Sequence, residues 1–220
     1  MDWELISSSL WPLTRGALTG TIPLALASFA LGLVLALLVA LMRLSRVRVV
    51  SGAARAYVSV IRGTPLLVQL FVIFYGLPSV GVTIDPWPSA IIAFSANVGG
   101  YAAEIIRAAI QSVPKGQWEA AHMIGMSHRL TLRRIILPQA ARVSVPPLSN
   151  TFISLVKDTS LASLILVTEM FREAQQIATS SGGEFMTLYV EAAVLYWVIC
   201  LFLSGGQSVL ERRLDRYVAH

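Results

Sequence analysis

The chain alternates between long uncharged apolar runs and short segments that carry its charges. The uncharged runs hold 27 residues between Arg15 and Arg43, 22 between Arg62 and Asp85, 18 between Asp85 and Glu104, and 19 between Glu191 and Glu211. A helix needs about 20 mostly apolar residues to cross the hydrocarbon core of a bilayer. The pattern therefore predicts four membrane-spanning helices.

A fifth apolar stretch, Val143 to Met170, is interrupted by Lys157 and Asp158. Splitting it would leave two pieces too short to cross a bilayer, so we interpret it as one span with a polar break. Pro65 in the second span, and Pro146 and Pro147 in the fourth, predict kinked helices. The predicted fold is an all-α integral membrane protein, one transmembrane domain over 1–220, with spans at about residues 17–42, 58–82, 87–109, 140–170 and 187–208.

The composition agrees, because 55% hydrophobic against 13% charged residues excludes both a typical soluble domain and a disordered chain.

Of the 17 basic residues, 13 fall in residues 43–55, residues 107–142 and the tail from residue 212 to Arg216. Only Arg15 and Arg172 lie in the intervening segments. The positive-inside rule then predicts an outside N-terminus and a cytoplasmic C-terminus. Because topology accounts for the formal charge of +5, and no basic stripe interleaved with aromatics occurs, we predict no nucleic-acid partner.

The sequence contains no common catalytic motif. It has no H-E-x-x-H, no G-x-S-x-G and no G-x-x-x-x-G-K-[ST], so zinc hydrolysis, acyl transfer and ATP binding have no visible machinery. We predict a chain without metal or cofactor that is not an enzyme. If transport uses ATP, another chain binds it.

The longest non-apolar region is the segment 111–138, predicted to be cytoplasmic. Gln117 to Met123 is a run of helix-forming residues, Gly125 can end that helix in the left-handed conformation, and Ser127 can cap a second short helix. Two short helices joined at a sharp turn would fit a groove on a soluble partner. From spacing alone, an amphipathic loop lying on lipid headgroups is an equal alternative.

The residues of this segment carry a resemblance to a known family. Glu119-Ala120-Ala121, Gly125 and Ile135-x-Leu137-Pro138 match E-A-A-x3-G-x9-I-x-L-P, the EAA loop of ABC importer permeases, without a departure. Three more blocks resemble the polar amino-acid branch of that family: RGTPLLVQL from Arg62 through Gly63, Thr64 and Pro65, YAAEIIR and QSVPKGQW between Tyr101 and Trp118, and KDTSL from Lys157.

The resemblance implies a type I ABC importer in the bacterial cytoplasmic (inner) membrane. Its partners would be a cytoplasmic ATPase dimer that holds ATP and Mg, a second identical or similar permease, and an extracytoplasmic solute-binding protein. Its substrate would be a polar amino acid, or another small solute such as an opine. The implied coupling residues are Glu119, Ala120, Ala121 and Gly125, with Arg129 beside them.

Polar residues inside predicted spans are expensive and become candidates for the substrate pathway. They are Gln69, Glu104, Lys157, Asp158, Thr159 and Ser160. Structural alternatives remain: Lys157 and Asp158 could form an ion pair that holds a broken helix, and Glu104 could pair with Arg107 at helical spacing. For Arg62 we favour a snorkelling or capping role.

Two other classes of protein remain as alternatives. An ion-coupled secondary transporter would usually show internal repeats and more spans than five. An intramembrane enzyme would need a nucleophile or paired acids inside the spans. Neither explains an intact EAA loop, so the ABC permease is the leading interpretation.

Overall fold

The computed structural model describes residues 3–215, and every element in that range is helical. The α-helices are α1 (Trp3–Gly16), α2 (Ile22–Arg43), α3 (Arg48–Gly63), α4 (Leu66–Phe71), α5 (Pro86–Ser112), α6 (Lys115–Met123), α7 (His128–Thr131), α8 (Leu137–Asp158), α9 (Met170–Ser180) and α10 (Phe185–Asp215). Single π-helical turns occupy Ala17–Thr21, Val72–Gly76 and Leu132–Ile136, and 3-10 turns occupy Leu77–Val80 and Thr159–Ile165. The all-α prediction is confirmed over this range, and Arg216 of the basic tail lies outside it.

Within residues 3–215, three continuous helices are long and apolar enough to cross a membrane: Trp3–Arg43, Pro86–Ser112 and Phe185–Arg213. Two bent pairs reach this length only if each is counted as one span. They are Arg48–Gly63 with Leu66–Val80, and His128–Ile165 with Met170–Ser180. Five spans are therefore reached when both bent pairs cross the membrane.

The predicted span 17–42 is the second part of a longer helix. α1 continues through the π-helical turn into α2 and gives one helix of 41 residues, about 60 Å long. The helix itself begins at Trp3, ahead of the predicted start of the span at residue 17, because α1 carries an apolar face of its own. Leu13 on that face is fully buried in a cluster with Met170 and Leu188.

The predicted span 58–82 is not one straight helix. α3 ends at Gly63, the chain turns by 107°, and helical structure resumes at Leu66. Pro65 explains the position of the bend, because a proline forces the preceding residue out of the helical region. Thr64 is extended, with φ −123° and ψ 145°. The kink predicted at Pro65 is therefore a sharp break.

The predicted span 140–170 also divides, but later than expected. α8 continues without interruption through Pro146 and Pro147, which transmembrane helices tolerate when neighbouring groups satisfy the freed backbone. The chain bends instead by 48° between Ile165 and Met170, next to Leu166, which has a positive φ of 68°. The break thus follows Lys157 and Asp158 rather than coinciding with them.

The centre of the bundle is the contact between α2 and α5. Leu24, Phe94 and Val98 are buried there among many alanines, and small residues of this kind let membrane helices approach closely. At Gly32 the approach is closest, since a Cβ there would lie 2.6 Å from Cβ of Val98. α5 also contacts α3 and α8, so three helices that carry candidate residues are held in one unit.

Candidate functional site

A polar groove lies where the bend between α3 and α4 faces α5 and the end of α8. Its volume is about 500 Å³, within the range of small-molecule sites. The polar side chains that line it include Arg62, Thr64, Asn97, Tyr101, Asn150 and Asp158. They come from three separate stretches of the sequence, the end of α3, α5 and α8, so only the fold brings them together.

The groove carries one positive and one negative side chain. Arg62 is in the last turn of α3, and its guanidinium carbon lies 5.6 Å from the centroid of the Tyr101 ring. Asp158 is the last residue of α8. Among the described residues neither Arg62 nor Asp158 forms an ion pair. Both charges therefore stay available to a bound molecule.

Gln69, a predicted pathway residue, stabilises the bend and does not line the groove. Its Nε2 donates hydrogen bonds to the carbonyl of Ile61 at 2.8 Å and to the hydroxyl of Thr64 at 2.9 Å. Its Oε1 accepts from Nδ2 of Asn97 at 3.1 Å. The side chain thus replaces backbone hydrogen bonds that the break removes and connects the bend to α5.

Glu104, another predicted pathway residue, is held by two arginines outside the groove. It forms ion pairs with Arg43 and Arg107, and Nε of Arg107 donates to its Oε1 at 3.1 Å. The spacing of Glu104 and Arg107 had suggested this structural role. Arg43 was missed because it comes from α2 and is distant in the sequence. The cluster therefore joins the end of α2 to α5.

The four polar residues from Lys157 to Ser160 have different environments. Asp158 lines the groove, whereas the side chain of Lys157 is exposed and does not line it. Thr159 and Ser160 donate to the carbonyls of Val156 and Lys157, at 2.7 and 2.8 Å. Within residues 3–215 no ion pair joins Lys157 to Asp158. Only Asp158 of these four is placed to meet a ligand in the groove.

A second acid, Glu169, was missed by the sequence analysis and is fully buried. It caps the N-terminus of α9, accepting from the amides of Phe171 and Arg172 at 2.9 and 2.8 Å. The hydroxyl of Tyr196 on α10 donates to it at 2.8 Å, and that of Thr21 at 3.4 Å. Glu169 thus joins the first helix, α9 and α10.

The EAA loop, residues 111–138, folds as its sequence predicts. α5 ends at Ser112, α6 ends before Gly125, and Gly125 has a φ of 79°. The hydroxyl of Ser127 accepts from the amide of Leu130 at 3.4 Å and caps α7. Gly125 is needed because its positive φ is strained for other residues.

Ring stacking fixes the angle between the two short helices of the EAA loop. The rings of Trp118 on α6 and His128 on α7 stack with their centroids 4.8 Å apart. Glu119 lies in the second turn of α6, which begins at Lys115. The loop is therefore a small folded unit and not an extended segment.

The coupling residues predicted in the EAA loop divide between two faces. Glu119, Ala120, Gly125 and Arg129 are exposed, whereas Ala121 is only 1% exposed and packs inside the chain. At the turn, Met123 and Ile124 are 86% and 76% exposed. Exposed apolar residues beside an acid and a base are typical of a surface that binds another protein. Ala121 supports this surface from behind.

The sequence analysis did not single out two side chains of the groove, Asn97 and Asn150. Both lie inside predicted spans, so the rule that selected Gln69 would have selected them too. Within the described part of the chain, no group of three His, Cys, Asp or Glu residues could hold a metal ion.

Comparisons with known proteins agree with this architecture. The L-cystine transport system permease protein TcyB of Bacillus subtilis is 61% identical over 219 residues, which cover 100% of this chain and 94% of TcyB. The nopaline transport system permease protein NocM of Agrobacterium fabrum is 41% identical over 93% of this chain and 88% of its own length. A crystal structure of an amino acid ABC transporter with histidines matches with a TM-score of 0.91 and 35% identity, over 97% of this chain and 99% of that chain.

The family match extends over nearly the whole chain. Residues 3–216 match the family described as binding-protein-dependent transport system inner membrane component. This range includes both the polar groove and the EAA loop. The resemblance carried by the EAA loop is therefore confirmed: the chain belongs to the binding-protein-dependent transport system inner membrane components.

Proposed function

We propose that the chain is the membrane-spanning subunit of an ATP-driven importer of polar amino acids, and that its polar groove contacts the substrate. The observation that carries this proposal is the pair of charges in the groove, Arg62 and Asp158. An α-amino acid is a zwitterion, so its carboxylate and ammonium match these two groups. The similarity to an L-cystine permease makes L-cystine the first substrate to test.

The energetics of the bilayer support a substrate role for these charges. A charged side chain in a membrane-spanning segment is expensive unless it is paired or hydrated. Asp158 is the last residue of α8, and its carboxylate accepts no hydrogen bond from another described residue. A carboxylate in this environment binds an ammonium group more strongly than one in water. The carboxylate of Asp158 is thus better explained by a role in binding a ligand than by a role in stabilising the fold.

We propose that the EAA loop transmits the movement of a separate ATPase. Glu119, Ala120, Gly125 and Arg129 form the exposed face, with the apolar turn at Met123 and Ile124. In this arrangement ATP and Mg bind to an ATPase dimer, a second permease completes the pathway, and an extracytoplasmic solute-binding protein delivers substrate. The EAA loop lies in the cytoplasm and the N-terminus outside, as the asymmetry of basic residues requires.

Reconstitution in vesicles tests the substrate. The chain is co-expressed with its ATPase and solute-binding protein, and ATP-dependent uptake of labelled L-cystine and other polar amino acids is measured. We expect uptake that vanadate stops. Uptake that ignores vanadate and follows an ion gradient would instead show a secondary transporter, and uptake of nopaline alone would show an opine importer, which the similarity to NocM makes the second candidate.

A charge reversal tests the coupling surface. Glu119→Lys is expected to lower co-purification of the ATPase and ATP-dependent uptake, while the permease still inserts in the membrane. Glu184→Lys makes the same change at another exposed position and should leave both unchanged. Equal co-purification and uptake for the two variants would remove Glu119 from the coupling role.

A further inference from the structure

Two glutamines outside the polar groove each hold one of its asparagines. The first is Gln69, whose Nε2 donates to the carbonyls of Ile61 and Thr64 at 2.8 and 3.1 Å. A carbonyl only accepts hydrogen bonds, so the NH2 end of Gln69 must face this side. Its Oε1 therefore faces Asn97 and accepts from Nδ2 at 3.1 Å. The remaining polar atom of Asn97, Oδ1, is left for the groove.

The second glutamine, Gln207 on α10, fixes its asparagine in the opposite sense. Its Nε2 donates to the carboxylate of Glu211 at 2.8 Å and to Oδ1 of Asn150 at 3.1 Å. An ionised carboxylate only accepts, so the NH2 end of Gln207 must face Glu211. Asn150 then uses its oxygen for Gln207 and keeps its NH2 for the groove that it lines.

We propose that Gln69 and Gln207 are positioning residues that give the groove an acceptor side and a donor side. Oδ1 of Asn97 then receives the substrate ammonium together with Asp158, and Nδ2 of Asn150 binds the substrate carboxylate together with Arg62. The oxygen and the NH2 group of an asparagine amide have nearly the same size and shape, so the amide fits in either orientation. Its hydrogen-bond partners therefore decide which of the two groups faces the groove. The inference rests on the proposed function, since it assigns the two ends of an α-amino acid.

A charge-conserving exchange on α10 tests the donor side. In the double variant Gln207→Glu/Glu211→Gln, the new glutamine donates to the new carboxylate, and that carboxylate must accept from Nδ2 of Asn150. The asparagine then presents its oxygen to the groove. Glu211→Gln alone is the comparison variant, because a glutamine at this position can accept or donate, so Gln207 and with it Asn150 are free to turn.

The readout is equilibrium binding to the purified permease–ATPase complex in detergent, without binding protein. The three probes are L-cystine, cystamine, which lacks the carboxylates, and 3,3′-dithiodipropionate, which lacks the amines. One hydrogen bond to a charged group is worth about tenfold in affinity. The double variant should bind L-cystine and dithiodipropionate about tenfold more weakly and keep its affinity for cystamine. Glu211→Gln alone should give the same pattern more weakly, because Asn150 is then free to turn.

Two variants near the bend test the acceptor side. Asn97→Leu should weaken L-cystine and cystamine about tenfold and spare dithiodipropionate. Gln69→Met should give the same pattern more weakly, because Asn97 is then free to turn. Since Gln69→Met also leaves carbonyls at the bend without donors and can impair folding, Asn97→Leu is the decisive variant.

The outcomes separate the two proposals. Loss of affinity for all three probes alike, or wild-type affinities in both the double variant and Asn97→Leu, would overturn the assignment of donor and acceptor sides. No binding of L-cystine by the wild-type complex would overturn the substrate proposal and, with it, this assignment.

Discussion

Two carboxylates on either side of the bend between α8 and α9 have opposite environments. Glu169 is fully buried, and two backbone amides and two hydroxyls donate hydrogen bonds to it. Asp158 is half-buried and lines the polar groove, and its carboxylate accepts no hydrogen bond from another described residue. Both lie within the stretch predicted as one span.

The difference shows what an acid in an apolar segment does for the protein. A buried carboxylate is tolerated when hydrogen bonds replace its hydration, and Glu169 obtains them from three elements at once. The hydrogen bonds of Glu169 therefore stabilise the fold and leave its carboxylate no part in binding a ligand. Asp158 has the same chemistry without those donors, so it can interact with a ligand. The hydrogen-bond partners, and not the charge itself, separate a structural acid from a functional one.

Removing Glu169 should have the largest effect on stability. Glu169→Ala leaves the hydroxyl of Tyr196 and the amides of Phe171 and Arg172 without an acceptor in a buried site. Each buried donor that loses its acceptor costs about 1–3 kcal/mol, so we expect the free energy of unfolding to fall by about 3–5 kcal/mol. Thermal unfolding of the purified protein in detergent measures it. Glu184→Ala, at an exposed acid, is the control, and equal melting temperatures for the two variants would contradict a structural role for Glu169.

Removing the charge of Asp158 should show the reverse pattern. Asp158→Asn is nearly isosteric and loses a charged acceptor in the groove, so L-cystine should bind more weakly by about 1.5–3 kcal/mol. The melting temperature should stay at the wild-type value. Lys157→Gln removes the neighbouring exposed charge, which does not line the groove, and should change neither quantity. A fall in stability comparable to that of Glu169→Ala would end the distinction between the two acids.

The EAA loop could be predicted from sequence because its geometry is local. Gly125 ends α6 with a positive φ, and Ser127 caps α7. Both features depend on neighbouring residues alone, so residue type and spacing were sufficient. The bend at Pro65 follows the same logic, although its angle of 107° depends on what the helices pack against.

The groove and the Glu169 cap could not be predicted in the same way, because distant segments form them. Asp158 was found through the cost of burying a charge, but the groove that it lines also needs Arg62 from α3 and Asn97 from α5. Apolar spacing does not specify how these helices are rotated. Glu169 was overlooked because the stretch from Val143 to Met170 was interpreted as one span. The residues after Glu169 form a new helix, α9, and Glu169 caps its N-terminus.

The cap at Glu169 also depends on how closely the first helix approaches it. A Cβ at Gly20 would lie 2.6 Å from Cα of Glu169 and from the carbonyl oxygen of Thr168, and backbone atoms cannot move aside cheaply. Gly20→Ala should lower the free energy of unfolding by about 1–3 kcal/mol. Gly205→Ala, with nothing within 4 Å, should be neutral or stabilising. Equal melting temperatures for the two variants would mean that the first helix can move away from Glu169 without loss of stability.

The smallest effect is expected at Ser127, which is a helix cap like Glu169 but an exposed one. Its hydroxyl accepts from the amide of Leu130 at 3.4 Å, near the upper limit of a hydrogen bond, and water can replace it. Ser127→Ala should destabilise α7 by about 0.5 kcal/mol and reduce ATPase co-purification about twofold. Ser8→Ala, at an exposed serine that bonds only within α1, is the control. A melting temperature lowered as far as that of Glu169→Ala would show that burial does not determine the strength of these two caps.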